Sequence, residues 1–322
     1  MVSHYKYGAY LPWVDISKGI GILLVVFAHI ETSKIRDLIY IFHMPLFIII
    51  SGYLHSYHAF SNVFFKKIRQ MMVPYFSYLV ALFFLYLLSS LLIKGDVQPA
   101  LRLIEGLVLG GKYMTGWFSV FWFITALFAT ILVYSVVSIK NSIYVRHIIA
   151  FFFLTFNCFG DVPNLPWALD TLLVTFPCFH FGAYLKSKGV TYPFLFVMLA
   201  SFCGVVLFLI SPKFFLIDYK IGEVGVPYIG FLFGVIFSLF VISISEKISK
   251  LVYINDIFIF LGKSSLTIMF LPQPLQITLK HYFPFTNNSL ILSLFVISIC
   301  SIFHLFLNQN RVCRVLFLGV SK

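Results

Sequence analysis

Runs of about twenty apolar residues, separated by short polar stretches, recur from one end of this chain to the other. A helix of roughly 20 residues crosses the ~30 Å hydrocarbon core of a bilayer. Backbone polar groups find no water there, so such runs must fold as helices. Ten spans are read, at 14–31, 38–55, 74–93, 118–138, 146–159, 168–185, 191–211, 226–244, 257–279 and 289–308. Pro74, Pro212, Pro227 and Pro284 fall near span ends, where a missing N–H does least harm. The expected fold class is all-α: a polytopic integral membrane bundle of about ten helices, one domain over residues 1–322, with no soluble domain and no internal repeat. Composition agrees. Of 322 residues, 61% are hydrophobic and 11% charged, against about half and a quarter in a soluble domain.

The net charge of +12 first suggests a nucleic-acid partner. No long Lys/Arg stripe and no nucleic-acid motif supports that, so none is expected. The basic residues cluster in loops instead. With the N-terminus inside, fourteen Lys and Arg fall in inside loops, eight in outside loops, and Lys18 lies within a span. This bias predicts cytoplasmic N- and C-termini, and an even number of spans is consistent with both ends on one side. The first apolar run lacks an A-x-A site and carries Lys18, so no cleavable signal peptide is read. Cys158, Cys178, Cys203, Cys300 and Cys313 have no metal-ligand spacing and read as packing residues. Asn287-Asn288-Ser289 fits the glycosylation pattern, a triplet common by chance.

Chemistry concentrates in Trp13–Ile30, which holds Asp15, Lys18 and His29. A Lys near the bilayer centre costs about 3 kcal/mol on insertion scales, so an ionisable residue there marks a functional site. Lys18 and His29 are eleven residues apart, close to three turns and about 16 Å along the axis. They share one face. A hairpin of the first two spans, its outer loop centred near Arg36, brings His29 and His43 to similar depth. A neutral imidazole can take a hydroxyl proton or carry an acyl group. The loop Phe65-Lys66-Lys67-Ile68-Arg69, followed by Met71-Met72-Val73-Pro74-Tyr75, sets three cations beside a span. Such cations suit phosphates, and coenzyme A is the obvious cytoplasmic polyphosphate. No G-x-S-x-G elbow competes, and no H-E-x-x-H or Cys pair offers a metal site. Trp117, Trp122 and Trp167 near span ends suit an aromatic belt, or alternatively sugar stacking. His4, His55, His58, His147, His180, His281 and His304 show no partner and read as structural or interfacial.

The stretch Val14-Asp15-Ile16-Ser17-Lys18, continuing to Phe27-Ala28-His29, resembles the opening motif of the acyltransferase family 3 membrane proteins: an acidic residue, Arg or Lys, ten residues and a His. Phe42-His43-Met44-Pro45-Leu46-Phe47 with Ser51-Gly52-Tyr53-Leu54 is similar to the family's second-span signature. The basic loop ending in Pro74-Tyr75 and the segment Phe121-Trp122-Phe123-Ile124-Thr125-Ala126-Leu127-Phe128 also match. Pro166-Trp167-Ala168-Leu169-Asp170-Thr171, leading to Phe181-Gly182-Ala183-Tyr184-Leu185, resembles the branch of fucose and polysaccharide O-acetylases. Leu261-Gly262-Lys263-Ser264-Ser265-Leu266 fits a late span. Relatives often carry a His after that segment, where this chain reads Phe270-Leu271-Pro272-Gln273. Lys18 replaces the commoner Arg, a change known from the O-acetylase branch.

The resemblance implies an integral membrane O-acetyltransferase of the bacterial inner membrane. It would take acetyl, or another short acyl group, from acetyl-CoA and pass it to a sugar hydroxyl on a surface or lipid-linked glycan. Carried over by motif, His29 is the base or transient acyl carrier, Asp15 and Lys18 the charged pair near the donor, and His43 the second-span histidine. Lys66, Arg69 and Tyr75 fall on the donor side, and Trp122 and Asp170 on the acceptor side. Membrane lipids are further partners, and a homo-oligomer is left open. The rival is a glycan or lipid-precursor transporter or flippase, a class that tends to show internal repeats and broken helices; neither is read here. A purely structural subunit leaves Asp15, Lys18 and His29 unexplained.

Overall fold

The computed structural model describes residues 10–56, 60–189, 192–251, 254–283 and 288–320. Asn287 of the glycosylation triplet, with Pro284, His4 and His58, lies outside them. The first helices are α1 (Pro12–Ile30), α2 (Lys34–Tyr40), α3 (His43–Tyr53), α4 (Phe60–Lys67), α5 (Val73–Lys94), α6 (Gln98–Leu101) and α7 (Leu103–Leu109). Then come α8 (Trp122–Lys140), α9 (Ile143–Phe159), α10 (Leu172–Lys188), α11 (Phe194–Ile210) and α12 (Ile229–Ile248). The last are α13 (Ile254–Lys263), α14 (Ser265–Phe270), α15 (Pro272–Tyr282), α16 (Ser289–Gln309) and α17 (Arg311–Cys313). Between α11 and α12 a short hairpin pairs β1 (Ile217–Asp218) antiparallel with β2 (Glu223–Val224), Ile217 opposite Val224.

Seven helical stretches among the described residues are long and apolar enough to cross a membrane. Two more, α9 and α11, are apolar but only 17 residues each. The stretch read as a single span at 257–279 is instead broken into α13, α14 and α15. Ser264 turns its hydroxyl back onto the Phe260 carbonyl at 2.8 Å. Pro272 has no N–H to continue the ladder. A second break falls at Ile41–Phe42, between α2 and α3. The expectation of unbroken helices is therefore corrected at both places. So is the outer turn of the first hairpin: it lies at Glu31–Ser33, and Arg36 sits inside α2, paired with Asp37 at 2.9 Å.

Two helix pairs pack with their backbones in contact, and glycine is what permits it. A Cβ on Gly19 of α1 would overlap the Phe258 carbonyl, and one on Gly262 of α13 would overlap the Asp15 carbonyl. α3 and α10 repeat the device: Gly52 meets Phe179 and Gly182 meets Ile49. Small residues at such crossings are the usual membrane solution, because lipid provides no hydrophobic drive between helices. Gly182→Val should therefore lower stability by about 1–3 kcal/mol or more through overpacking, read as a fall in the thermal unfolding midpoint of the detergent-solubilised protein. Large side chains of α5, α11 and α16, among them Phe84, Leu92, Phe202, Ile210 and Phe306, stay exposed on the outside of the bundle. That surface suits lipid.

Candidate active site

One face of α1 presents Lys18, Ile22, Val25 and His29, a row at helical spacing. Three cavities lie along it. The first, of about 450 Å³, is lined by Lys18, His55, Asn62, Lys66 and Lys67. The second, of about 190 Å³, shares Lys18 and Lys67 and then turns apolar, with Ile22, Val25, Phe47, Phe123, Leu127 and Met44. The third, of about 230 Å³, shares Met44 and holds His29, Tyr40, His43, Ser119, Trp122 and the β1 turn from Ile217 to Lys220. Neighbouring cavities with shared walls thus run from a cationic end past an apolar one to two imidazoles.

The hydrogen bonds set the imidazoles for base chemistry. His43 Nδ1 lies 3.0 Å from the Ile39 carbonyl. A carbonyl only accepts, so Nδ1 carries the proton and the neutral ring keeps its lone pair on Nε2. The break at Ile41–Phe42 seats His43 at the first position of α3 and within reach of that carbonyl. His29 Nδ1 lies 3.4 Å from the Tyr40 hydroxyl. A hydroxyl can donate or accept, so this contact admits either tautomer; in the one where Nδ1–H donates to the Tyr40 oxygen, His29 Nε2 is the free acceptor. Tyr40 sits between the rings, its centroid 4.8 Å from His43 and 6.0 Å from His29.

The structure brings some motif residues together and sets others apart. Lys18 Nζ pairs with Asp15 Oδ1 at 3.4 Å, and the Tyr10 hydroxyl donates to Asp15 at 3.0 Å. Lys66 and Arg69 are both exposed; Lys66 lines the first cavity beside Lys67, whereas Arg69 lines none of the three. A π-turn over Ile68–Met72 separates these cations from Tyr75. Tyr75 is buried among aromatic rings, its hydroxyl 3.8 Å from Met114 Sδ. Trp122 is buried at 5% exposure and lines the third cavity, which removes it from any lipid-facing belt. Asp170 pairs with Lys112 at 3.2 Å, outside the three cavities. Gln273, at the segment where relatives carry a His, donates from Nε2 to Ser119 Oγ at 2.8 Å and so touches the wall of the third cavity.

Sequence reading missed Tyr40, Ser119, Asp218 and Lys220 at this site. For Asp218 and Lys220 the available signal was two opposite charges flanking Tyr219, which says nothing of the cavity they reach. Asp218 Oδ1 accepts the Lys220 backbone N–H at 2.9 Å, and Lys220 Nζ donates to the Met114 carbonyl at 2.7 Å. Burial raises the Asp218 carboxyl above the usual carboxylate range and lowers the Lys220 ammonium below its own. Partners also emerge for histidines that showed none: His180 Nε2 lies 2.9 Å from His147 Nδ1, and His304 Nδ1 lies 3.0 Å from Thr267 Oγ1. Among the described residues no cluster of three His, Cys, Asp or Glu could hold a metal ion.

A family model described as an acyltransferase domain, Acyl_transf_3, matches residues 11–307. The chain belongs to acyltransferase family 3. No curated protein and no solved structure matches it. The match takes in every helix of this acyltransferase from α1 to α15 and most of α16. With its seven long apolar helices, it is an integral membrane protein.

Proposed function

We propose that this acyltransferase moves an acetyl group from acetyl-CoA on the cytoplasmic side to a sugar hydroxyl of a surface or lipid-linked glycan, in a bacterial inner membrane. The observation that carries the reading is the row of cavities from Lys66 and Lys67 to His29. The cations and the Asn62 amide fit the phosphates of coenzyme A as hydrogen-bond donors, the lysines with charge assistance. The narrow apolar stretch fits a thin arm carrying the thioester. At the far end His29 Nε2 takes the acceptor's hydroxyl proton, or receives the acetyl first and passes it on. His43, with its tautomer held by Ile39, is the second base in the cavity. Trp122 offers a ring for the acceptor sugar. The charge bias of the loops puts the Lys66 end inside, so donor and acceptor arrive from opposite faces.

Purified protein incubated with radiolabelled acetyl-CoA and membrane glycan should give labelled glycan; none from intact protein that binds coenzyme A would contradict the reading. Lys67→Ala should weaken coenzyme A binding about tenfold, the equivalent of one charge-assisted contact. The loss should shrink as salt rises. Titration of the detergent-solubilised protein by calorimetry measures both.

The broken helices at Ile41–Phe42 and at Ser264 to Pro272 favour a second reading, a transporter for a glycan or lipid precursor. Transport requires neither coenzyme A binding nor ester formation, so the same titration separates the two.

A further inference from the structure

We propose that Lys220 is a catalytic residue of this site, its ammonium stabilising the oxyanion that forms when the acceptor hydroxyl adds to the thioester carbonyl. The inference rests on the acyl-transfer reading above. Lys220 is the cation among the residues lining the third cavity, facing the space that His29 and His43 share. It arrives from a part of the chain remote from the family's histidine motifs, on a turn built to hold it.

That turn is braced at several points. β1 and β2 pair across it. Asp218 Oδ1 takes the Lys220 N–H, and Asn157 Nδ2 donates to the Gly222 carbonyl at 2.8 Å. Of the three N–H donors on Lys220, one reaches the Met114 carbonyl at 2.7 Å. Two remain for a ligand. A fixed donor in a water-poor site stabilises developing charge far better than one in bulk water, because it needs no reorganisation as the charge appears. Asp218 beside it is a partly buried carboxylate that offsets its charge before substrate arrives.

The step balances with groups already named. His29 Nε2 takes the hydroxyl proton while the hydroxyl oxygen bonds to the acyl carbon. The carbonyl's π pair moves onto oxygen, where the Lys220 ammonium meets it. Collapse re-forms the carbonyl and breaks the carbon–sulfur bond, and the His29 imidazolium returns its proton to the departing sulfur. The products are an O-acyl ester and a free thiol, with no further reactant.

Lys220→Met, Lys220→Gln and Lys220→Arg, each reconstituted as the full chain in lipid nanodiscs, test this with radiolabelled acetyl-CoA and glycan extracted from membranes of cells carrying the gene. Lys220→Met should lower kcat by about 10²–10³-fold, the range for losing one oxyanion donor. The KM for acetyl-CoA and the affinity for coenzyme A should stay within about twofold. Lys220→Arg should recover part of kcat, while Lys220→Gln, which can still bond the Met114 carbonyl, should not. If Lys220→Gln restores full turnover, or if Lys220→Met keeps kcat within about threefold, the role is refuted and the side chain is a tether for the hairpin. Equal loss of coenzyme A affinity and turnover refutes it as well. An inert wild-type protein would instead bring down the acyl-transfer reading, and this inference with it.

Discussion

His29→Ala should lower acyl transfer by about 10²–10⁴-fold while coenzyme A still binds. The size follows from the work assigned to the ring: a positioned general base contributes roughly that factor, and a covalent carrier would be lost completely. The separation of the two readouts follows from geometry. His29 lines the third cavity, and the cations that would grip phosphates line the first, about 16 Å away along α1. Removing an imidazole at one end leaves the other end unchanged. His43→Ala should cost less than His29→Ala if His43 chiefly supports the site through its bond to Ile39. Equal losses would make the two rings joint partners in proton transfer. Turnover of radiolabelled acetyl-CoA, alongside calorimetric titration with coenzyme A, reads both quantities.

Met44→Trp should abolish transfer by a different route. Met44 is the residue common to the apolar cavity and the histidine cavity, and it is 8% exposed. Its unbranched thioether side chain can adopt several rotamers and so yield to a passing group. An indole there fills the passage and cannot fold away, so turnover should fall at least a hundredfold, comparable with loss of the base itself. Coenzyme A affinity should survive, since the phosphates' end is untouched. Met44→Ala should leave acetyl transfer intact and admit longer acyl groups, seen as a rise in butyryl relative to acetyl turnover. A Met44→Trp protein that unfolds is recognised by its thermal melt. One that is folded and fully active would show that the thioester reaches His29 by another path.

Much of this arrangement could be read from the residues in order. The helical period alone aligned Lys18 with His29, because an α-helix keeps side chains eleven residues apart on one face. The cost of bare charge in lipid marked Asp15 and Lys18 as functional, and the family motif supplied their reading as a pair. The pairing of His29 with His43 was also anticipated, but by a turn around Arg36 that does not exist. Their meeting depends on the break at Ile41–Phe42, which Pro45 marks: it has no N–H to give the Ile41 carbonyl four residues earlier. The break at Ser264 is hidden: a serine hydroxyl competing for an i−4 carbonyl looks, in sequence, like any other serine. Arg69 and Lys67 changed places because a π-turn follows Lys67 and shifts every later side chain around the axis. Tyr75, expected beside the donor, was turned into the core with its hydroxyl on Met114. The place of Asp218 and Lys220 in the site was hidden for a deeper reason. They sit more than 170 residues after His43 in a loop with no periodicity, and only the tertiary fold brings that loop over the bundle's end. The glycines of Ser51-Gly52, Phe181-Gly182 and Leu261-Gly262 were visible as motif letters. Their purpose, letting α3 meet α10 and α1 meet α13 backbone to backbone, was visible only in three dimensions.

The claim on which the rest depends is that a cytosolic thioester passes between the helices to the half-buried imidazole of His29. Cryo-electron microscopy of the full chain with a non-hydrolysable thioether analogue of acetyl-CoA tests it most directly. Phosphate density beside Lys66 and Lys67, a chain of density past Met44, and the analogue's sulfur within contact distance of His29 are the predicted result. An analogue seated elsewhere on the bundle, with the passage between Lys18 and His29 closed by side chains, would contradict it.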